Sequence, residues 1–295
     1  MRDAAMDSDS PRGFWSIWPA RLVLFFVVLS VTYLGLPGIA TAFKSHLAGQ
    51  DKNLVALVLF GASAILSIAA YRLLVRLTEK RRATELAASG AIPQFLLGAL
   101  IGSGLFVVVY AVYFAEGVAT FRGLGSAQGL GVAFGVGIAS GVCEELIARG
   151  GIFRIVEQGA GTLVALVVSA ATFGALHLAN PGASLLAGAA IMLEAGILLA
   201  AAYALTRSLW LAIGLHFAWN FTEGGIFGAQ VSGGKMSGLL DVPLSGPPLM
   251  TGGAFGPEAS IPAMVVCTAA GLILLGLAIR KGQWRPMRFR LRTAG

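Results

Sequence analysis

Apolar residues fill eight stretches of the chain, each about 20 residues long. A helix of about 20 apolar residues spans the hydrocarbon core of a bilayer, so this pattern predicts eight membrane-spanning helices. Shorter segments that contain Gly, Pro or charged residues separate the stretches and predict the connections between helices. The predicted spans are Arg21–Phe43, Asn53–Leu74, Phe95–Ala115, Gly129–Phe153, Thr162–Asn180, Ser184–Leu205, Leu209–Phe227 and Ile261–Ile279.

The composition agrees with this membrane interpretation. Hydrophobic residues make up 57% of the chain and charged residues only 12%, which is far from the balance of a soluble domain. We therefore expect an all-α fold, a polytopic transmembrane helical bundle of about eight spans, in one membrane domain over residues 1–295. The segment 228–260 is rich in Gly, Pro and Ser and predicts an external loop, to which no chemistry is assigned.

The basic residues indicate how the chain is oriented. If the chain starts on the cytoplasmic side, all but four of its 21 Lys and Arg residues lie on that side, as the positive-inside rule expects. The four on the outer side are Lys44, Lys52, Arg122 and Lys235. Both termini are therefore predicted to be cytoplasmic, in an integral protein of the bacterial inner membrane. The net charge of +7 follows from this topology, so nucleic acid is set aside as a partner and membrane lipid is expected.

The first apolar stretch admits a second interpretation. Residues Leu22–Leu36 could form the core of a signal peptide, with Ala40-Thr41-Ala42 as a small-residue cleavage site. The polar segment in front of it is long for a signal peptide, so we favour an uncleaved first span.

Glycines recur along the fourth predicted span. Gly131, Gly135, Gly137 and Gly141 are spaced by two or four residues. Small residues at such spacing let helix backbones approach closely within a membrane, so this face is predicted to pack tightly against other helices.

Two adjacent glutamates interrupt the fourth span. Glu145 and Arg149 are four residues apart, so on a helix they face each other and can form an ion pair. Glu144 is turned about 100 degrees away from Glu145 and lacks such a partner. A carboxylate within a membrane has to be partnered and is usually functional, so Glu144 is the candidate general base.

Two further polar motifs lie in later spans. Phe173 precedes His177 by one turn, so the ring should pack beside the imidazole. His216 and Asn220 are also four apart and share one helix face, where an imidazole and a carboxamide can point at one substrate carbonyl or metal ion. His177, His216 and Glu144 together allow either a zinc site or metal-free activation of water.

Two other candidates in the spans rank lower. Cys143 lies beside Glu144, but apolar surroundings disfavour a reactive thiolate, so it is expected to be a packing residue. Glu194 is another acid within an apolar run, with helix packing or proton relay as its alternatives.

The three motifs Glu144-Glu145-x-x-x-Arg149, Phe173-x-x-x-His177 and His216-x-x-x-Asn220 occur in this order on successive predicted spans. In this they resemble the CPBP family of intramembrane proteases, which includes the CAAX prenyl endopeptidases and the Abi proteins. The resemblance covers residues 72–227, the expected protease core.

The resemblance implies a role for each residue of the motifs. Glu144 and His177 would activate the attacking water, while His216 and Asn220 would hold the oxyanion or, in a metalloprotease, Glu144, His177 and His216 would contribute to a Zn²⁺ site. The remaining motif residues, Glu145, Arg149 and Phe173, would support them.

The sequence thus predicts an endopeptidase that cleaves a peptide or a lipidated, CAAX-type protein at the membrane. The four catalytic candidates should converge on one cavity, expected to open toward the cytoplasmic half because Arg149 and Arg207 mark that side. The rival interpretation is a membrane scaffold or immunity protein, in which the same residues form a structural polar network. A transporter ranks behind both, because duplicated halves and broken helices are not apparent. The oligomeric state is left open.

Overall fold

The computed structural model describes residues 18–42, 45–47 and 49–287. Six basic residues used in the topology argument, Arg2, Arg12, Lys44, Arg288, Arg290 and Arg292, lie outside these ranges.

The described chain is a bundle of helices. Its helices are α1 (Trp18–Ala42), α2 (Lys52–Glu79), α3 (Ala91–Ala115), α4 (Ala127–Ala160), α5 (Thr162–Ala179), α6 (Leu185–Thr206), α7 (Leu209–Phe221, continued by wider turns over Thr222–Ile226), a short α8 (Pro248–Thr251) and α9 (Ile261–Arg280). Single 3₁₀ turns lie at Thr84–Leu86 and Pro257–Ala259. Strands β1 (Gly123–Leu124) and β2 (Leu240–Asp241) pair antiparallel. The predicted polytopic membrane bundle is therefore confirmed.

Seven of the eight predicted spans are helices that are long and apolar enough to cross a membrane. Among the described helices, α7 lies at the remaining predicted span and does not meet these criteria. It is a helix as expected, but His216, Asn220 and Glu223 lower its hydropathy below that of a typical span. Most of α7 is buried, because it packs against α3, α4 and α6 in the middle of the bundle.

Glycines bring the central helices into close contact, as the spacing on α4 predicts. A Cβ added at Gly137 or Gly141 would meet Phe217 of α7 at about 3 Å, and one added at Gly135 would meet α2 at a similar distance. Gly98 of α3 lies directly against the backbone of α7. This packing fixes α7, and with it His216, against its neighbours.

One end of the bundle, here called the arginine end, is held together by ion pairs. Arg154 of α4 donates to both carboxylate oxygens of Glu79 at 2.7 Å, and Arg207 after α6 pairs with Glu157. Arg21, at the start of α1, lies 3.8 Å from Glu79. In the segment 72–86, the first part continues α2 to Glu79 and the rest forms a turn packed into these pairs.

The opposite end, here called the loop end, comprises residues 119–126, 180–184 and 228–260, and the start of α2 at Lys52 lies beside it, since Asn53 donates to the Gln128 carbonyl at 2.8 Å. Strands β1 and β2 join the first and last of these segments. The 228–260 segment also folds back on itself, since the backbone N–H of Gly233 donates to the Phe255 carbonyl at 2.7 Å. The predicted loop therefore has a defined fold over one end of the bundle.

Candidate active site

Wide turns in the middle of α4 carry the first polar motif. Residues Ser140–Glu144 and Leu146–Phe153 form π-helical turns, which occur mostly as local insertions at functional sites. These turns place Glu144 on a cavity and bury Glu145 and Arg149 completely.

The predicted ion pair within this motif is confirmed. Arg149 donates through Nη1 to Oε1 of Glu145 at 2.8 Å, and both side chains are fully buried. Its Nη2 donates to the carbonyl oxygens of Ala195 and Gly196 on α6, at 2.9 and 3.1 Å. The guanidinium also lies 4.6 Å from the centre of the Phe173 ring. Arg149 therefore connects α4 to α5 and α6 inside the bundle, and it lies at neither end of the bundle.

Glu144 has one partnered and one free oxygen. The Tyr33 hydroxyl of α1 donates to Oε1 at 2.8 Å, a partner that the sequence analysis did not find. A tyrosine within an apolar run gives only a weak signal, because its ring also serves as a packing group. The second oxygen, Oε2, is buried and has no hydrogen-bond partner. A buried carboxylate oxygen without a donor is costly and is available for a substrate, a water or an ion.

Oε2 of Glu144 faces both histidines. It lies 3.9 Å from Nε2 of His177 and 3.9 Å from Nε2 of His216. The three groups come from α4, α5 and α7, so three separate helices bring them together.

The hydrogen bonds of the two imidazoles define their free nitrogens. Nδ1 of His177 lies 2.8 Å from the Phe173 carbonyl oxygen, which only accepts, so Nδ1 carries the proton and Nε2 has a free lone pair. Nδ1 of His216 lies 3.0 Å from Oε1 of Glu145 and donates to it in the same way. The Phe173 ring packs 4.6 Å from the His177 ring, as predicted. Backbone and carboxylate acceptors thus aim both Nε2 atoms at Glu144.

Asn220 is buried one turn after His216. Its Nδ2 donates one hydrogen to Oγ of Ser140 on α4 at 2.8 Å, which leaves its second hydrogen for another acceptor. Its Oδ1 has no partner. Ser140 in turn donates to the Val136 carbonyl at 2.9 Å, so the amide is held against α4.

One cavity of about 600 Å³ is bordered by Tyr33, Ser140 and Glu144, by both histidines and by Asn220. Its wall includes the four predicted catalytic residues, and it also includes apolar side chains of α1 and α5 such as Phe26, Leu34 and Leu176. The predicted convergence on one cavity is confirmed. The cavity is bordered at the loop end by Asn180, Pro181, Val231, Ser232, Gly234 and Met236.

The cavity differs from the sequence-based expectation in two respects. It is bordered by loop-end residues, whereas Arg149 lies inside the bundle and Arg207 pairs with Glu157 at the far end of α6, so these two arginines do not mark its opening. The 228–260 segment, to which no chemistry was assigned, supplies part of its border. The loop takes this place because its hydrogen bonds fold it back over the helix ends.

Glu144, His177 and His216 supply the donor atoms for the predicted zinc site. Two imidazole nitrogens and a carboxylate oxygen are the ligands of a catalytic zinc ion, and the acceptors on both Nδ1 atoms are those that metal-binding histidines use. Ligands bound at 2.0–2.2 Å in a tetrahedron lie about 3.4 Å apart, so the spacing of 3.9 Å is too wide as it stands. Accordingly, no group of three or more such side chains in the described residues is arranged to hold a metal ion. The donor types fit zinc, whereas their spacing does not.

A second group of acids lies near the site. Glu194 of α6 and Glu258 border a small cavity of about 20 Å³ together with His177 and His216. Oε2 of Glu194 and both oxygens of Glu223 are buried without partners, while Glu258 accepts from the N–H and Oγ of Ser232 at 2.7 Å. Of these three acids, Glu194 was predicted as a second-rank candidate, whereas Glu223 and Glu258 were not predicted.

Comparison with known proteins agrees with the three motifs. The family model "Type II CAAX prenyl endopeptidase Rce1-like" matches residues 126–222, from the start of α4 to the end of α7. No curated protein and no solved structure matches the chain. The matched segment contains every residue of the three motifs and confirms the resemblance to the CPBP family. The chain is therefore an integral membrane protein whose residues 126–222 are similar to the type II CAAX prenyl endopeptidases.

Proposed function

We propose that the protein is an intramembrane endopeptidase in which Glu144 and His177 activate a water molecule and His216 and Asn220 stabilise the oxyanion. The observation that carries this proposal is the unpartnered Oε2 of Glu144, which lies 3.9 Å from both histidine Nε2 atoms in a cavity. A carboxylate without a donor beside the free Nε2 of His177 is suited to take a proton from water.

The spacing between Glu144 and His177 admits one water between them. A water at about 2.8 Å from each atom bridges a separation of 3.9 Å, donating one hydrogen to each acceptor. As the water oxygen attacks the peptide carbonyl carbon, its proton passes to Oε2 of Glu144. The other hydrogen stays on the attacking oxygen and is hydrogen-bonded to Nε2 of His177. This imidazole fixes the direction of attack, because its proton on Nδ1 is held by the Phe173 carbonyl.

The negative charge then develops on the former carbonyl oxygen. The second N–H of Asn220 and Nε2–H of His216 can donate to this oxygen. Because Nδ1 of His216 already donates to Glu145, its Nε2 donates only when the ring is a doubly protonated imidazolium. The buried carboxylate of Glu145 favours that charged ring, and Arg149 balances the carboxylate. When the C–N bond breaks, Glu144 returns its proton to the leaving amine.

The substrate is proposed to be a peptide or a lipidated protein that lies in or at the membrane. The apolar wall formed by Phe26, Leu34 and Leu176 suits apolar side chains or an acyl-type chain. We further propose that both termini are cytoplasmic and that the protein resides in the bacterial inner membrane, since the arginine end holds most of the basic residues.

The test is cleavage of a library of membrane peptides and prenylated peptides by the purified protein. Glu144→Gln keeps the shape of the side chain and its bond from Tyr33, but it removes the base, so cleavage should be lost while the fold persists. The matched control is Glu223→Gln, which changes a fully buried glutamate that does not border this cavity. Cleavage that survives in Glu144→Gln would contradict the mechanism. No cleavage by wild type across the library would favour a scaffold or immunity protein.

A further inference from the structure

The two ends of the bundle differ sharply in charge. Eleven of the fifteen basic residues that the structure describes lie at the arginine end, three lie at the loop end and Arg149 lies between them. Those at the arginine end are Arg21, Arg72, Arg76, Lys80, Arg81, Arg82, Arg154, Arg207, Arg280, Lys281 and Arg285, and those at the loop end are Lys52, Arg122 and Lys235.

Ion pairs and hydrogen bonds show that these residues share one end in space as well as in sequence. Glu79 contacts Arg21, Arg81 and Arg154, which come from α1, the α2–α3 turn and α4. Glu157 contacts Arg207 and Arg285, which follow α6 and α9. Basic residues that flank spans stay on the cytoplasmic side, so the arginine end is the cytoplasmic one.

The active-site cavity lies toward the other end. Asn180 and Pro181, which follow α5, border it together with the 231–236 part of the loop. His177 lies in the last turn of α5 before this end. A second cavity of about 630 Å³ also lies at the loop end, between β1, β2 and the segment 251–257. Both large cavities are therefore on the side that the charges place away from the cytoplasm.

Taken with the proposed peptidase function, on which this step rests, we infer that the active site receives its substrate from the non-cytoplasmic side. The substrate is an unlipidated polypeptide segment that leaves the membrane on that side. A protein prenylated in the cytoplasm presents its tail at the arginine end, whereas the active-site cavity is bordered by Asn180, Pro181 and the 231–236 part of the loop at the other end.

The walls of the cavity suit such a segment. Phe26 and Leu34 of α1 and Leu176 of α5 form an apolar side for residues that lie at membrane depth. Ser232 and Asn180 give a polar rim where the segment would reach water. The four groups proposed for catalysis lie between these two zones. The cleaved peptide bond would therefore be close to the point where the substrate segment leaves the membrane.

The orientation is tested by labelling single cysteines in intact cells with a membrane-impermeant maleimide. Ser237→Cys lies at the loop end and Ser89→Cys at the arginine end, and both positions are exposed. The native Cys143 and Cys267 are buried, so the wild-type protein is the unlabelled control. We expect Ser237→Cys to be labelled at once and Ser89→Cys only after the membrane is permeabilised. The reverse order would overturn the inference.

The substrate side is tested with two single-span reporters that carry the best-cleaved unlipidated library sequence next to the span. One presents it outside the cell and the other in the cytoplasm. We expect wild type to cleave only the outer reporter in cells, and Glu144→Gln to cleave neither. The inference would be overturned if wild type cleaved the cytoplasmic reporter alone, or both reporters, in cells. It would also be overturned if wild type cleaved only the prenylated members of the library.

A control in detergent separates this inference from the proposed function. In detergent both reporters are accessible, so an active peptidase should cut both. If wild type cuts both in detergent but only the cytoplasmic one in cells, the orientation alone is wrong. If it cuts neither in detergent and no library member either, the peptidase function is wrong, and the substrate inference falls with it.

Discussion

The hydroxyl of Tyr33 donates a 2.8 Å hydrogen bond to Oε1 of Glu144, so the first helix holds the proposed base in place. This contact joins residues that are 111 positions apart in the chain. It also bears on the alternative that residues 22–42 form a cleaved signal peptide, because cleavage after Ala42 would remove the donor. Helix α1 therefore acts as part of the proposed site.

We expect Tyr33→Phe to lower the rate of cleavage roughly ten- to hundredfold, since a hydrogen bond to a charged group contributes about 1.5–3 kcal/mol. The effect should fall on kcat for a library peptide, because the lost contact is to the base and not to the substrate. Tyr110→Phe is the matched control, as that hydroxyl is buried without a partner. Equal rates for Tyr33→Phe and wild type would show that the contact has no role in activity.

Arg149 should be the most costly basic residue to remove. Arg149→Met leaves the fully buried Glu145 with only the His216 imidazole as its partner, and breaking a buried pair in this way costs about 3–5 kcal/mol. Thermal unfolding in detergent should show a large decrease in Tm. Arg76→Met, at an exposed position of α2, is the control and should change Tm little. A small effect of Arg149→Met would mean that Glu145 finds another donor or a proton.

Glu85 should make stability depend on acid pH. Burial alone would raise the pKa of its carboxyl, but the hydrogen bonds from Arg81 and Tyr71 and the charge of Arg154 lower that pKa to about 2. The unfolded chain, with the ordinary value of 4.5, then binds more protons between these two pH values. The free energy of unfolding should therefore fall as the pH drops from about 4.5 to about 2.

The measurement for Glu85 is chemical or thermal unfolding across that pH range. The Glu85→Gln variant should be less stable than wild type at neutral pH, and its stability should depend less on pH in this window. Identical pH dependence in both proteins would show that other groups, and not Glu85, cause the acid sensitivity.

The motifs within single helices could be predicted because helical spacing alone fixes them. The Glu145–Arg149 pair and the packing of Phe173 on His177 each need only one turn of helix. Tyr33 and Ser140 could not be assigned, because their partners lie on other helices and depend on how the bundle packs. The loop border and the direction of the cavity depend on tertiary hydrogen bonds in the same way. The polarity that marked α7 as functional also made it a weak candidate for a span.

The second group of acids should tolerate neutral substitution. Glu223 is fully buried and neither oxygen has a partner, so Glu223→Gln removes a group that is costly to keep charged. We expect its Tm to equal or exceed that of wild type and its cleavage rate to stay within about twofold.

Glu194→Gln separates the two roles considered for that residue, since a packing residue keeps activity and a proton relay loses it. The packing role predicts an unchanged rate.

Whether the protein uses a metal ion can be decided by measuring its zinc content together with its cleavage activity. Oε2 of Glu144 lies 3.9 Å from each imidazole Nε2, which is a wider separation than that between two ligands of one zinc ion. We therefore expect the protein to cleave its peptide substrate after treatment with a chelator. Elemental analysis of the purified protein should then find much less than one zinc per chain. His177→Ala should reduce cleavage in either case, so it does not discriminate. Loss of activity with the chelator, restored by zinc but not by magnesium, would instead show that the three groups close around a metal ion, and the water would then be activated by the metal.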